Sequence, residues 1–224
     1  MFSVLFEVHP KEPQWDAYLN FANMLKPELQ KIDGFVDNIR YKSLTRQGWI
    51  LSLSGWRDEK AVVRWRTLGM HHGVQEKGRE HVFLDYHLRV GQITSDTKLP
   101  TGMKLVEQRL DETEIGEGTT VVMIDAKQAA NLAEKSRPED VASYLGFEPK
   151  AHGLATWDVY DAVLIPGDLI LTTLWKDKQA AADFAKAVKV AADGRIRTVR
   201  VVRDYTMFDR REAPQYYPET KVNN

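Results

Sequence analysis

The 224-residue chain contains no cysteine. That absence excludes disulfides, thiolate zinc sites, iron–sulfur clusters, thiolate ligation of haem and a cysteine nucleophile, and it suits a cytoplasmic location. Neither sign of charge dominates, with 31 Lys and Arg against 32 Asp and Glu. Nothing in that balance points to nucleic acid or an anionic membrane as a partner. No apolar run approaches the ~18–20 residues that a membrane span needs. The opening MFSVLFEVHP lacks a basic flank and is interrupted by Glu7, so it is expected to form a first strand and not a signal peptide. Also missing are G-x-G-x-x-G, a Walker loop, G-x-S-x-G and H-E-x-x-H, the common signatures of nucleotide binding, serine hydrolysis and zinc proteolysis.

What is present is an internal echo. At an offset of 119 residues the chain pairs Gly34 with Gly153, Tyr41 with Tyr160, Gly48 with Gly167, Trp56 with Trp175, Asp58 with Asp177 and Ala61 with Ala180. Val82, Asp85 and Tyr86 meet Val201, Asp204 and Tyr205 at the same spacing, and Trp65 meets Phe184. Glycines and tryptophans recurring at the same element boundaries indicate two homologous halves. The expected units are 1–92 and 119–208, with a polar linker over 93–118 and a polar tail over 209–224. MKLVEQRL within the linker is a candidate crossover strand.

Each half reads as β-α-β-β-α-β. Opening strands are expected over 2–8 and 119–125, paired strands over 35–43 with 49–56 and 154–162 with 168–175, and last strands over 82–91 and 197–207. Trp15, Leu19, Ala22, Leu25, Leu29 and Ile32 approximate a helical stripe that Pro27 should kink or restart. Ser136 with Glu139 reads as a capping box and Gly146 as the end of that helix. Asp58 and Asp177 are expected to cap helices over 59–69 and 178–190. The fold class is therefore α+β: two tandem ferredoxin-like repeats, each needing cover for the bare face of its sheet, which packing sheet against sheet would supply.

The unit carrying LKPELQKIDGF, ILSLSGWRDEKAVVRW and LGMHHGVQEKGREHVFLDYHLRV resembles the antibiotic biosynthesis monooxygenase (ABM) family. The likeness extends over 2–91 and, more weakly through LILTTLWKDKQAAADFAK, over 119–208. VVRDYTMFDRREAP also looks like the end of short, single-domain members. The resemblance implies a dimeric α+β barrel, here closed within one chain as a pseudo-dimer that leaves further homodimerisation open. It further implies a small-molecule substrate. The family includes cofactor-independent oxygenases of aromatic polyketides, quinol oxygenases and haem-degrading enzymes. The last carry an Asn on the first strand, a Trp on the second helix and a His after it. Trp65 matches that Trp and His71 matches that His best. The Asn has no counterpart beside Glu7, a departure that counts against haem oxidation. Phe184 and VAADG replace Trp and histidines in the second half, so a site is expected in the first.

His71, His72, His81 and His87 cluster in sequence. On a continued helix His72 shares a face with Ala61, Trp65 and Leu68, whereas the resemblance favours His71; both are kept as candidate bases. Beside Trp65 as an aromatic wall, such a histidine would deprotonate a phenol or hydroquinone, whose anion reacts with oxygen without a cofactor. Arg40 and Asn38 on the second strand, with Tyr41 and Trp56, are the candidate substrate contacts, although the recurrence of Tyr41 and Trp56 also suits packing. No metal is expected: His72, Glu76 and Glu80 have helical spacing, but Gly73 and Gly78 interrupt it. The leading expectation is an ABM-type monooxygenase of an aromatic or quinol-like substrate. The alternatives are a haem-binding or haem-degrading protein and a non-catalytic ligand-binding or stress-related module.

Overall fold

The computed structural model describes residues 1–130, 132, 136–147 and 150–215. Its first half runs β1 (Phe2–Pro10), α1 (Trp15–Gln30), β2 (Phe35–Ser43), β3 (Ile50–Trp56), α2 (Glu59–Thr67), α3 (Gly69–Lys77) and β4 (Phe83–Asp96). The second runs β5 (Thr120–Lys127), α4 (Pro138–Tyr144), β6 (Leu154–Ala162), β7 (Asp168–Trp175), α5 (Lys178–Ala187) and β8 (Arg195–Thr206). All eight strands pair antiparallel and close into one barrel in the order β1-β3-β2-β6-β7-β5-β8-β4. Closure removes every sheet edge. The sheets of the two halves thus join edge to edge, through β2–β6 and β4–β8, and the faces turned inward share one apolar core that includes Leu5, Leu51, Met123, Ile170 and Val199. The helices lie outside, against separate apolar clusters.

The register across the two joints is symmetric. Tyr41 stands opposite Ala162 and Ser43 opposite Tyr160, on either side of the Lys42–Asp161 pair. Gly91 stands opposite Val201 and Ile93 opposite Val199, on either side of Gln92–Arg200. Within the halves, Phe2 lies opposite Trp56 and Gln92, and Thr120 opposite Trp175 and Arg200. Trp56 and Trp175 are 119 positions apart, but Gln92 and Arg200 are only 108 apart. The last-strand matches of the sequence comparison are therefore not structural equivalents: Tyr86 lies opposite Val8, and Tyr205 opposite Leu88. The first half spends Gly69–Val82 on α3 and a π turn, where the second passes directly over 188–194 to β8.

Local chemistry accounts for the repeated residues. The Asp58 and Asp177 carboxylates accept from the backbone N–H of Ala61 and Ala180, each at 2.8 Å, capping α2 and α5 as expected. Gly34 and Gly153 have φ of +93° and +81°, and a Cβ there would stand 2.7 and 2.9 Å from the methyl groups of Ala61 and Ala180. Both members of each Gly–Ala pair are thus constrained by one contact. Trp56 and Trp175 are buried, and their indole N–H groups donate to Ser54 Oγ at 2.9 Å and Thr173 Oγ1 at 2.8 Å.

Several expectations change. Helix α1 runs through Pro27 without restarting; both Pro27 and Asn23, four residues earlier, are exposed, so the carbonyl that proline leaves unpaired can meet water. Tyr18, not Trp15, takes the buried position in its first turns. Arg137, not Ser136, is the N-cap of α4, and its backbone N–H donates to the Asp140 carboxylate at 3.1 Å in place of Glu139. Gly146 does end that helix, with φ +83° and the Phe147 N–H returning to the Ala142 carbonyl. MKLVEQRL forms no strand; the Gln92 side-chain oxygen instead accepts from the N–H groups of Gln108 and Arg109. No helix among the described residues is long and apolar enough to cross a membrane.

Candidate functional site

A cavity of about 200 Å³ lies on the outer face of the first half's sheet. Val4 and Phe6 of β1, Asn38 and Arg40 of β2, Ser52 and Ser54 of β3, and Leu88 and Val90 of β4 form its floor. The alternation of a strand puts these residues on the helix side and their neighbours in the barrel. Tyr18, Phe21, Leu25 and Leu29 of α1 supply one wall, and Val62, Trp65, Arg66 and His71 of α2 and α3 another. The chain beyond β8 contributes Arg210, Pro214 and Gln215. This part of the tail folds back on the site: the Gln215 amide donates to the Arg66 carbonyl at 3.2 Å, and Glu212 accepts from Thr113 and from the backbone of Asp204. The tail from 216 onward lies outside the described residues.

Of the two histidines, His71 lines the cavity and His72 is exposed. Periodicity favoured His72 because it assumed one continuous helix. Leu68 instead adopts an extended conformation, φ −62° and ψ 123°, between α2 and α3, which resets the helical phase. His71 stacks on Trp65 with ring centroids 4.1 Å apart and planes 18° apart, and its Nδ1 lies 2.9 Å from the Trp65 carbonyl oxygen. A carbonyl only accepts, so Nδ1 carries the hydrogen and Nε2 holds the lone pair. Burial lowers the imidazole to a pKa of about 4, against a smaller upward pull from the Trp65 carbonyl. His71 is therefore a neutral acceptor at neutral pH and a weak base for a phenol, whose pKa is about 10.

Trp65, Asn38 and Arg40 also line the cavity. The Asn38 amide donates to Ser52 Oγ at 3.0 Å and to the Leu53 carbonyl at 3.2 Å, which fixes its orientation. Tyr41 and Trp56 lie elsewhere: Tyr41 faces the barrel core, and Trp56 packs edge-on against Phe35 in the cluster beneath the helices. Gly73 stays helical within α3, while His72, Glu76 and Glu80 are all exposed; no metal-binding group of three or more His, Asp or Glu exists among the described residues.

Sequence reasoning missed Tyr18, Arg66, Arg79, Tyr86 and Arg210. Arg79 is buried in the π turn and donates to the Tyr86 hydroxyl at 2.5 Å and the Met207 carbonyl at 3.2 Å. Arg210 donates to the same hydroxyl and lies over the Tyr205 ring. Only Tyr18 left a signal, since it occupies the stripe of α1; the others converge from elements far apart in the chain.

A second polar cluster lies inside one end of the barrel. Glu7 pairs with Arg89 and Arg46 and accepts from the Tyr160 hydroxyl; Asp204 binds Arg89 and His87. Burial pushes the Glu7 carboxyl up, but Arg89 and Arg46 together outweigh it and hold the pKa at about 2. Asp125–Arg197 forms an ion pair within the second half, and Asp96 of β4 pairs with Arg195 of β8 across the joint.

No family model matches the sequence. The chain is 46% identical over 224 residues, 97% of its own length and 99% of the relative's, to a protein of Pyricularia oryzae named jasmonate monooxygenase ABM. Among solved structures it superposes loosely on a Fusobacterium nucleatum protein described only provisionally as a monooxygenase, with TM-score 0.38 and 8% identity, covering 91% of this chain and 93% of that one. An anthrone oxidase-like protein gives TM-score 0.32 and 14% identity, covering 96% of each chain. Superpositions this loose say nothing about activity. The identity to the Pyricularia protein, sustained over nearly all of both chains, places this chain in the antibiotic biosynthesis monooxygenase (ABM) family.

Proposed function

We propose that the protein is a monooxygenase that inserts one oxygen atom into a small, largely apolar carboxylic acid of the jasmonate class, bound in the cavity above the first sheet. The identity to a jasmonate monooxygenase over nearly the whole chain carries this reading. The cavity supports it chemically: Phe6, Phe21, Leu25, Leu29 and Val62 offer apolar cover for a hydrocarbon body, and basic side chains such as Arg40 suit an acid. Such a pocket also speaks for a small-molecule site over a purely structural module.

In this reading the aromatic wall of Trp65 and His71 orients the substrate and excludes water, and His71 Nε2 accepts a hydrogen bond from substrate or a bound oxygen species. Hydroxylation follows RH + O₂ + 2e⁻ + 2H⁺ → ROH + H₂O, so a substrate without electrons to spare needs a diffusible two-electron reductant such as reduced nicotinamide. A hydroquinone brings its own electrons and is the second substrate class, favoured by the rings of Phe6, Phe83 and Tyr86 around the cavity. No resident cofactor enters the reading; haem is the alternative, and a saturable Soret shift on titration would establish it.

We also read the chain as a pseudo-dimer of two ferredoxin-like units. The symmetric registers about Lys42–Asp161 and Gln92–Arg200 support this, as the same patches meet twice with their roles exchanged. The cysteine-free sequence fits action in the cytoplasm.

Incubation with jasmonic acid or a simple hydroquinone under ¹⁸O₂, with and without reduced nicotinamide, tests the activity. The expected result is a product carrying one labelled oxygen, diminished about tenfold or more in His71→Ala and unchanged in His72→Ala. Equal turnover in all three proteins would remove His71 from the chemistry. Absence of labelled product from either substrate would overturn the reading.

A further inference from the structure

Six basic side chains line the cavity against a single carboxylate, Glu59. That carboxylate is already engaged by Arg109 at 2.6 Å. Three of the cations are engaged too: Arg79 and Arg210 bind the Tyr86 hydroxyl, and Arg203 reaches the Glu212 carbonyl at 3.4 Å. Arg40 differs. It rises from the middle of β2, held between β3 and β6, so its base is rigid. Its Nε is buried with no hydrogen-bond partner among the described residues. Tyr18 lies beside the Arg40 guanidinium, close enough to interact with it, and its buried hydroxyl makes no other hydrogen bond among the described residues. Tyr18 is only 6% exposed. A buried donor left unsatisfied costs free energy that a ligand acceptor would recover.

We propose that Arg40 and Tyr18 form a carboxylate anchor that makes the cavity select the free acid of its substrate over the ester. The anchor rests on the reading of this cavity as the substrate site. A guanidinium and a phenolic hydroxyl together present several donors and no competing acceptor charge, which suits a planar anion. The apolar walls of α1 and the floor residues Val4 and Leu88 then take the hydrocarbon body, and the acid's far end is directed away from β2. The corresponding place in the second half holds Val159, buried in a packed apolar cluster, so the anchor belongs to one half only.

The test is equilibrium binding to the full-length chain at neutral pH, read by tryptophan fluorescence and calorimetry, with two probe pairs: jasmonic acid and methyl jasmonate, and cyclopentylacetic acid and its methyl ester. The expected result is that each acid binds about tenfold or more tighter than its ester. Arg40→Gln should remove most of that preference while leaving ester affinity within about twofold, Arg40→Lys should restore part of it, and Tyr18→Phe should reduce it about threefold. Equal binding of acid and ester, no saturable binding of either acid, or an unchanged preference in Arg40→Gln would overturn the proposal. If Arg40→Gln fails to fold by circular dichroism, the wild-type preference and its change in Arg40→Lys decide. Discriminating binding without any labelled product would leave the anchor standing and remove the proposed reaction, so the two fail separately.

Discussion

The two halves share their joints and differ in what lies between sheet and helices. Both carry an aspartate cap on the second helix, a Gly–Ala contact and a tryptophan bonded to a hydroxyl two residues earlier. Above the sheet, however, Asn38, Arg40 and Ser52 of the first half correspond to Trp157, Val159 and Leu171 of the second. Those three, with Phe147 and Phe184, belong to one apolar cluster under α4 and α5. Phe184, at the place of Trp65, packs 5.0 Å from Trp175 and 5.5 Å from Phe147. The roof differs as well: α1 has 16 residues and α4 has 7, and α3 has no counterpart. A cavity therefore arises where polar side chains replace fillers on an otherwise repeated sheet.

Exchanging those fillers gives the largest expected effect. Val159→Arg places an unpaired charge in the packed half and should cost about 4 kcal/mol in urea unfolding. Arg40→Val should stay within about 1 kcal/mol, because its site borders a cavity. Equal costs would mean that the two faces are packed alike.

The buried ion pairs sharpen the comparison. By strand register, Glu7–Arg89 corresponds to Asp125–Arg197, and His87–Asp204 to Arg195–Asp96. The Glu7 side chain is 10% exposed and Asp125 28%. Glu7→Gln should accordingly cost about 3 kcal/mol, more than Asp125→Asn, in the same unfolding assay. Glu7 titrates near 2 in the folded protein, below its ordinary value of 4.5. Its contribution is complete above about pH 4.5 and drains away as pH falls toward 2. Unfolding curves across that range should show a shallower acid loss in Glu7→Gln.

His71 gives a smaller effect confined to the first half. Its folded pKa of about 4 lies below the ordinary 6.5, so only the unfolded chain takes up this proton between those values. Stability should fall as pH drops from 6.5 toward 4, and His71→Gln should flatten that slope. Proton NMR of the His71 ring should give a midpoint near 4; a midpoint near 6.5 would mean that the ring is solvated.

The smallest difference should come from the caps. Asp58→Ala and Asp177→Ala should each cost about 1 kcal/mol in thermal unfolding, nearly alike, since each removes the same 2.8 Å bond. A large disparity would show that the joints are less equivalent than their geometry.

Much of the architecture was legible because it is local. Strand alternation, the aspartate caps, Gly146 after its helix and the recurrence of Gly34, Trp56 and Ala61 each follow from short-range sterics and hydrogen bonding. The candidate site was half legible. Trp65, Asn38 and Arg40 reach the cavity, but His71 was separable from His72 only through the bend at Leu68, and Tyr41 and Trp56 turn to other clusters. The last-strand matches misled because a fixed offset cannot register the extra helical segment before β4. Once strand pairing sets the alignment, unlike residues such as Glu7 and Asp125 become equivalent.

By itself the sequence determined the order of the strands along the chain, the aspartate caps and the recurrence of Gly34, Trp56 and Ala61, because each is written in periodicity and residue identity over a few turns or strands. Only the tertiary structure decided that the two sheets close into one barrel, that the tail returns to the cavity and that Arg40 meets Tyr18 at its wall. Those outcomes depend on contacts between residues far apart in the chain, where strand register and helical phase, and not local preference, set which side chains meet.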